Sequence, residues 1–142
     1  MARAADEVGL DLLQLHGHEP PESLADLPRR AIKAVGVGDG FAPEDALRYE
    51  GRAAGILLDT RTAAGVPGGT GQSFDWSRAR AVREKASFLI LAGGLNPANV
   101  HLALSAVRPD GVDVSSGVEA APGRKDPEKV RAFLAAVREA ER

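Results

Sequence analysis

The chain has 142 residues, 44% of them hydrophobic and 27% charged, with a formal net charge of −2 at pH 7. This balance fits one soluble globular domain over residues 1–142 and excludes a disordered chain, while the scattered Lys and Arg residues offer no basic face for nucleic acid. The absence of cysteine excludes a disulfide framework and a thiolate nucleophile, no apolar run is long enough to span a membrane, and a cytoplasmic location is expected.

Helical and extended signals alternate along the chain. ARAADEV is amphipathic, and Gly9 stands where a glycine ends a helix. The apolar LDLLQL (10–15) predicts a first strand, closed by His16-Gly17, and PPESLADL then opens a helix with proline at its start. AIKAV (31–35) is a second strand, PEDALRYE (43–50) a short helix, and AGILLD (54–59) a third strand. A glycine-rich loop leads to a helix over DWSRARAVREK (75–85), whose start Trp76 packs against the sheet. SFLILA (87–92) reads as a strand buried on both faces. NPANVHLALSAV follows as a helix with Asn96 as N-cap and Pro97 at its first position, and His101 falls on its surface. GVDVS (111–115) is the last strand, and DPEKVRAFLAAVREA closes the chain, capped by Asp126. One helix followed by five strand–helix units predicts an α/β protein with a parallel sheet. The opening helix has no strand before it.

In such sheets function collects at the carboxyl ends of the strands. Those ends read His16-Gly17, Gly36, Asp59-Thr60, Gly93-Gly94 and Ser115-Ser116-Gly117. Gly93 and Gly94 leave backbone amides uncovered before a helix, and Ser116-Gly117 adds amides and a hydroxyl at the next strand end. Two such turns on consecutive strands suit a phosphate group, although tight turns alone would also use these residues. Asp59 is either a general acid or base, or a side chain that pins the 60–73 loop through backbone amides. That loop has neither a Walker lysine nor dinucleotide glycine spacing, and it reads as a lid over a cleft. His16 and His18 lack a third clustered ligand, so a structural or substrate-facing role is expected in preference to zinc.

The segments LQLHG (13–17), AIKAV (31–35), LLDT (57–60), GGTGQSFDW (68–76), LAGGLNPANV (91–100) and DVSSGVE…PGRKD (113–126) resemble, in order and spacing, phosphoribosylanthranilate isomerase. The resemblance covers nearly the whole chain. It implies a (β/α)8 TIM barrel and an Amadori rearrangement of N-(5-phosphoribosyl)anthranilate in tryptophan biosynthesis, with no cofactor and no metal. It further implies that Asp59 is the general acid, that Gly93, Gly94, Ser116 and Gly117 form the phosphate cradle, that His16 lines the pocket, and that Asp113 binds a sugar hydroxyl.

One departure is large. The family's opening strand carries KICG, whose cysteine is the general base, and a later loop carries an arginine for the anthranilate carboxylate; neither segment is present here. Aligned by motif, residue 1 falls in the third helix, so an N-terminally truncated, incomplete barrel of five βα units is expected, against about 200 residues or more for a full one. Such a chain would be inactive alone, with weak or no binding of the phosphorylated substrate or product. The alternatives are an active isomerase, as a homodimer or with a complementing N-terminal fragment, and a non-catalytic phosphate-binding module. LDLLQL and GVDVS would be open sheet edges through which the chain could self-associate.

Overall fold

The computed structural model describes residues 2–59 and 76–140. The expected lid, with most of the GGTGQSFDW motif, lies outside the described residues. Five strands form one parallel sheet in chain order: β1 (Leu13–Leu15), β2 (Ala31–Gly36), β3 (Gly55–Asp59), β4 (Leu89–Ala92) and β5 (Gly111–Val112). Helix α1 (Ala2–Val8) precedes β1, and α2 (Pro43–Leu47), α3 (Trp76–Arg83) and α4 (Val100–Val107) follow β2, β3 and β4. A short antiparallel hairpin, β6 (Glu119–Ala121) and β7 (Arg124–Lys125), leads into α5 (Pro127–Ala140).

The period-2 alternation of strand side chains divides the core between two faces. Ile56 and Leu58 of β3 and Leu89 and Leu91 of β4 join Ala79 and Val82 of α3, Val100, Ala103 and Val107 of α4, and Phe133 of α5. On the opposite face Leu57 meets Ala34 and Ala92, with Ile32 and Ile90 partly buried beside them. Every residue of β3 is buried, which accounts for its unbroken apolar sequence. Trp76 is half-buried at the start of α3 against the helix-side core, as its position predicted. Asp126 Oδ1 accepts the amides of Glu128 and Lys129, so the expected cap of α5 is in place.

Several expected elements are shorter, for identifiable reasons. The strand expected over 10–15 begins only at Leu13, because its partner β2 begins at Ala31, which pairs with Leu13; Leu10 and Leu12 are left exposed. The helix expected after it is a 3-10 turn, Pro21–Asp26. The last strand stops at Val112, although the Asp113 amide still donates to Leu91 O (2.9 Å) before the chain tightens into a 3-10 turn at Ser116–Val118. Helix α4 starts at Val100, not after Asn96. Asn96 Oδ1 instead takes the Ala98 amide in a local turn, and Asn99 Oδ1 takes the Asn96 amide, both at 2.8 Å. Asparagine's affinity for its own neighbouring backbone thus displaces the helix by about one turn.

Candidate functional site at the carboxyl ends of the strands

Asp59 is the last residue of β3, in register with Gly36 on one side and Ala92 on the other. Both neighbours are small, so the carboxylate has space around it although the residue is only 6% exposed. Its backbone carbonyl accepts the Val37 amide (2.8 Å), which fixes the strand end. His16, one residue beyond β1, brings Nε2 to 3.7 Å from Asp59 Oδ2. That separation is too long for a hydrogen bond. The two side chains thus meet at the strand ends, with the acid buried and the histidine nearly half-exposed. His18 and His101 are exposed, and among the described residues no group of three or more His, Asp or Glu side chains is placed to hold a metal ion.

The loop carrying His16 is held by a group that sequence reasoning missed. Lys33 of β2 points to the helix side of the sheet and is 2% exposed. Its ammonium donates to Gly17 O (2.7 Å), Glu19 Oε2 (3.0 Å) and Ala34 O (3.0 Å), using all three donors. It also stands 5.5 Å from the centre of the Tyr49 ring, whose hydroxyl donates to Glu19 O (2.7 Å). Backbone hydrogen bonding at Glu19, then the Lys33 ammonium, hold the Glu19 carboxyl below its ordinary 4.5. The available signal was a lysine at a core-facing position of an otherwise apolar strand. A buried ammonium requires partners, and the polar loop after β1 supplies them.

At the other end of the sheet, Gly93 and Gly94 adopt φ of 83° and 63°, a left-handed backbone that favours glycine at both positions. Gly94 O accepts Asn99 Nδ2 (3.0 Å), so the asparagine that organises the next turn also anchors this loop. Gly117 rests directly on it: a Cβ there would lie 1.8 Å from Leu95 O. Only glycine permits that approach, and it locks the turns after β4 and β5 together. Among the described residues, the amides of Gly94, Ser116 and Gly117 donate to no other residue. Of the first amides of α4, those of Val100, Leu102 and Ala103 bond back to Asn96 and Asn99. The donors of the loops therefore come from glycine geometry more than from a helix end. Asp113 is exposed, and its side chain makes no hydrogen bond or ion pair with another described residue.

A parallel sheet in chain order, with a carboxylate and two interlocked glycine turns at its carboxyl ends, defines a β/α protein of the TIM-barrel type. Comparison with known proteins narrows the class. The family model for N-(5'-phosphoribosyl)anthranilate (PRA) isomerase matches residues 1–136, and the chain belongs to that family. It is 50% identical over 135 residues to the PRA isomerase of Pseudomonas putida strain W619, covering 95% of this chain and 64% of that protein. It is 48% identical over 132 residues to the Thermotoga maritima isomerase, covering 92% of this chain and 62% of that protein. The crystal structure of the T. maritima enzyme superposes with a TM-score of 0.84 at 43% identity, over 96% of this chain and 66% of that one. A PRA isomerase in complex with reduced 1-(o-carboxyphenylamino)-1-deoxyribulose 5-phosphate gives a TM-score of 0.79 at 40% identity, over 96% and 64% of the two chains. The chain thus spans less than two thirds of the length of these curated relatives.

Proposed function

We propose that these 142 residues supply the acid and the phosphate side of a PRA isomerase site, as one partial-barrel domain made of the barrel's later five βα units. The carrying observation is a buried carboxylate at the end of β3 on the same sheet rim as two glycine turns locked through Gly117. In this reading the substrate's 5'-phosphate lies against the amides of Gly94, Ser116 and Gly117, with Gly93 setting the turn. Amides on fixed turns suit a phosphate because they lose no side-chain freedom on binding. Asp59 donates its proton to the furanose ring oxygen as the C1–O bond breaks, leaving a Schiff base between C1 and the anthranilate nitrogen. A base then removes the C2 proton, and the resulting enolamine becomes the 1-deoxyribulose product. His16 lines the pocket beside Asp59, and Asp113 faces a sugar hydroxyl. No cofactor or metal is required by this chemistry.

The general base of the reaction is a cysteine in the family pattern, and the sequence contains none. Acid without base costs about 10²–10⁴-fold in rate, so the 142 residues alone turn over PRA poorly, and without the family's arginine for the anthranilate carboxylate they bind it weakly. Exposed Val8, Leu10 and Leu12 beside β1 give self-association an apolar contact. A cytoplasmic location fits the pathway, and no described helix is long and apolar enough to cross a membrane.

The test is PRA turnover by the purified chain, first alone and then with a segment of a relative carrying the KICG strand. Turnover that appears only with the segment supports this reading. Full turnover by the chain alone favours the second reading, an isomerase complete in this form, for which His16 is the strand-end base; its observation is the 3.7 Å approach to Asp59.

A further inference from the structure

We propose that Lys125 is a positioning residue of the phosphate cradle, acting by fixing the Ser115–Ser116 peptide plane. This rests on the cradle reading above and goes beyond it. Lys125, on β7, donates from Nζ to Ser115 O (2.9 Å) and to Glu119 Oε1 (3.0 Å). Ser115 O also accepts the Val118 amide (3.3 Å), so this one carbonyl is held from two directions. In a planar trans peptide the carbonyl and the following N–H point in opposite directions. Tying Ser115 O to the lysine therefore turns the Ser116 amide to the far side, away from the hairpin. That amide donates to no other described residue, and the next residue, Gly117, sits against Leu95 O of the facing loop.

The lysine is itself anchored. Glu119 Oε2 accepts the Gly123 amide (3.3 Å), Glu119 O accepts Lys129 Nζ of α5 (2.8 Å), and the Asp126 amide donates to Val118 O (2.8 Å). The hairpin between β5 and α5 is thus a brace that reaches back toward the strand end through the Glu119 amide on Ser116 O and, from a side chain, through Lys125 on Ser115 O. A lysine suits the task because one compact ammonium can serve a carbonyl and a carboxylate at once. Methionine would match its length and lose both bonds.

The experiment titrates the full 142-residue chain with inorganic phosphate in 0.5 M NaCl and follows backbone amide shifts. High salt screens the direct attraction between an exposed ammonium and phosphate, so a loss seen there reports geometry. In the wild type, Gly94, Ser116 and Gly117 are expected to move together and saturate. In Lys125→Met the affinity is expected to fall about tenfold, the worth of one hydrogen bond to a charged group, with Ser116 losing most of its response and Gly94 retaining part of it. Glu119→Gln, which weakens the anchor and keeps the charge of Lys125, is expected to lower affinity about threefold, and it carries the test if Lys125→Met does not fold. Wild-type affinity and an unchanged Ser116 response in the folded variants would overturn the role of Lys125 and leave the cradle standing. No response from any of the three amides in the wild type would overturn the cradle, and this role with it.

Discussion

The two ends of the strand rim are organised in opposite ways. At the β1–β2 end the His16–Glu19 loop is held by one buried charge, Lys33, reaching from the helix side of the sheet. At the β4–β5 end the closest approach is backbone against backbone, Gly117 on Leu95 O, with Asn99 on Gly94 O and Lys125 on Ser115 O bracing the two loops. The first arrangement depends on ionisation. The second is steric at its centre, where glycine alone fits.

Breaking the steric end should cost most. Gly117→Ala forces its Cβ into the Leu95 carbonyl, and the turns must separate. A loss of about 3 kcal/mol in urea unfolding is expected, at the upper end of overpacking costs, together with loss of the phosphate response at Gly94. Stability within about 0.5 kcal/mol of wild type would show that the two turns are not locked.

Breaking the charged end should cost less. Lys33→Met removes three hydrogen bonds, but Glu19 is partly exposed and can return to water. A loss of about 1–2 kcal/mol is expected, with faster amide exchange at Gly17 and Glu19 and no change at Gly94. An equal change at both ends would mean that the rim behaves as one unit.

The pH dependence reaches both ends, because the Lys125 ammonium also holds the Glu119 carboxyl below its ordinary 4.5. Because the Glu19 carboxyl is held below 4.5 in the folded chain, its contribution is present above that pH and is lost as pH falls through the lower folded value. Acid unfolding of Glu19→Gln should therefore be flatter below pH 4.5 than that of the wild type. Identical acid limbs would remove Glu19 from the account. The smallest effect is expected from Asp113→Asn, whose exposed side chain makes no hydrogen bond or ion pair with another described residue: unchanged stability, within about 0.5 kcal/mol by urea unfolding.

Much of this was legible in the sequence, and the failures have physical causes. The five strands and the carboxylate closing β3 follow from apolar runs ended by polar or glycine residues. The start of α4 did not, because Asn96 can cap a helix or close its own turn, and only the Asn99 contacts decide between them. The hairpin after β5 was marked by Pro122-Gly123, a turn signal, but Glu119 and Lys125 pair across it in strands too short to show alternation. The strap on the His16 loop was invisible for another reason: Lys33 lies 14 residues from Glu19, and no local pattern links them.

The central claim is that a carboxylate and two glycine turns on one rim form a single phosphosugar site. Titration of the chain with the reduced 1-(o-carboxyphenylamino)-1-deoxyribulose 5-phosphate seen with a relative tests it most directly. Amide shifts at Gly94, Ser116 and Gly117 should saturate at one ligand concentration together with those of His16 and Asp59. Shifts confined to the glycine turns, or absent from both ends at millimolar ligand, would contradict a shared site.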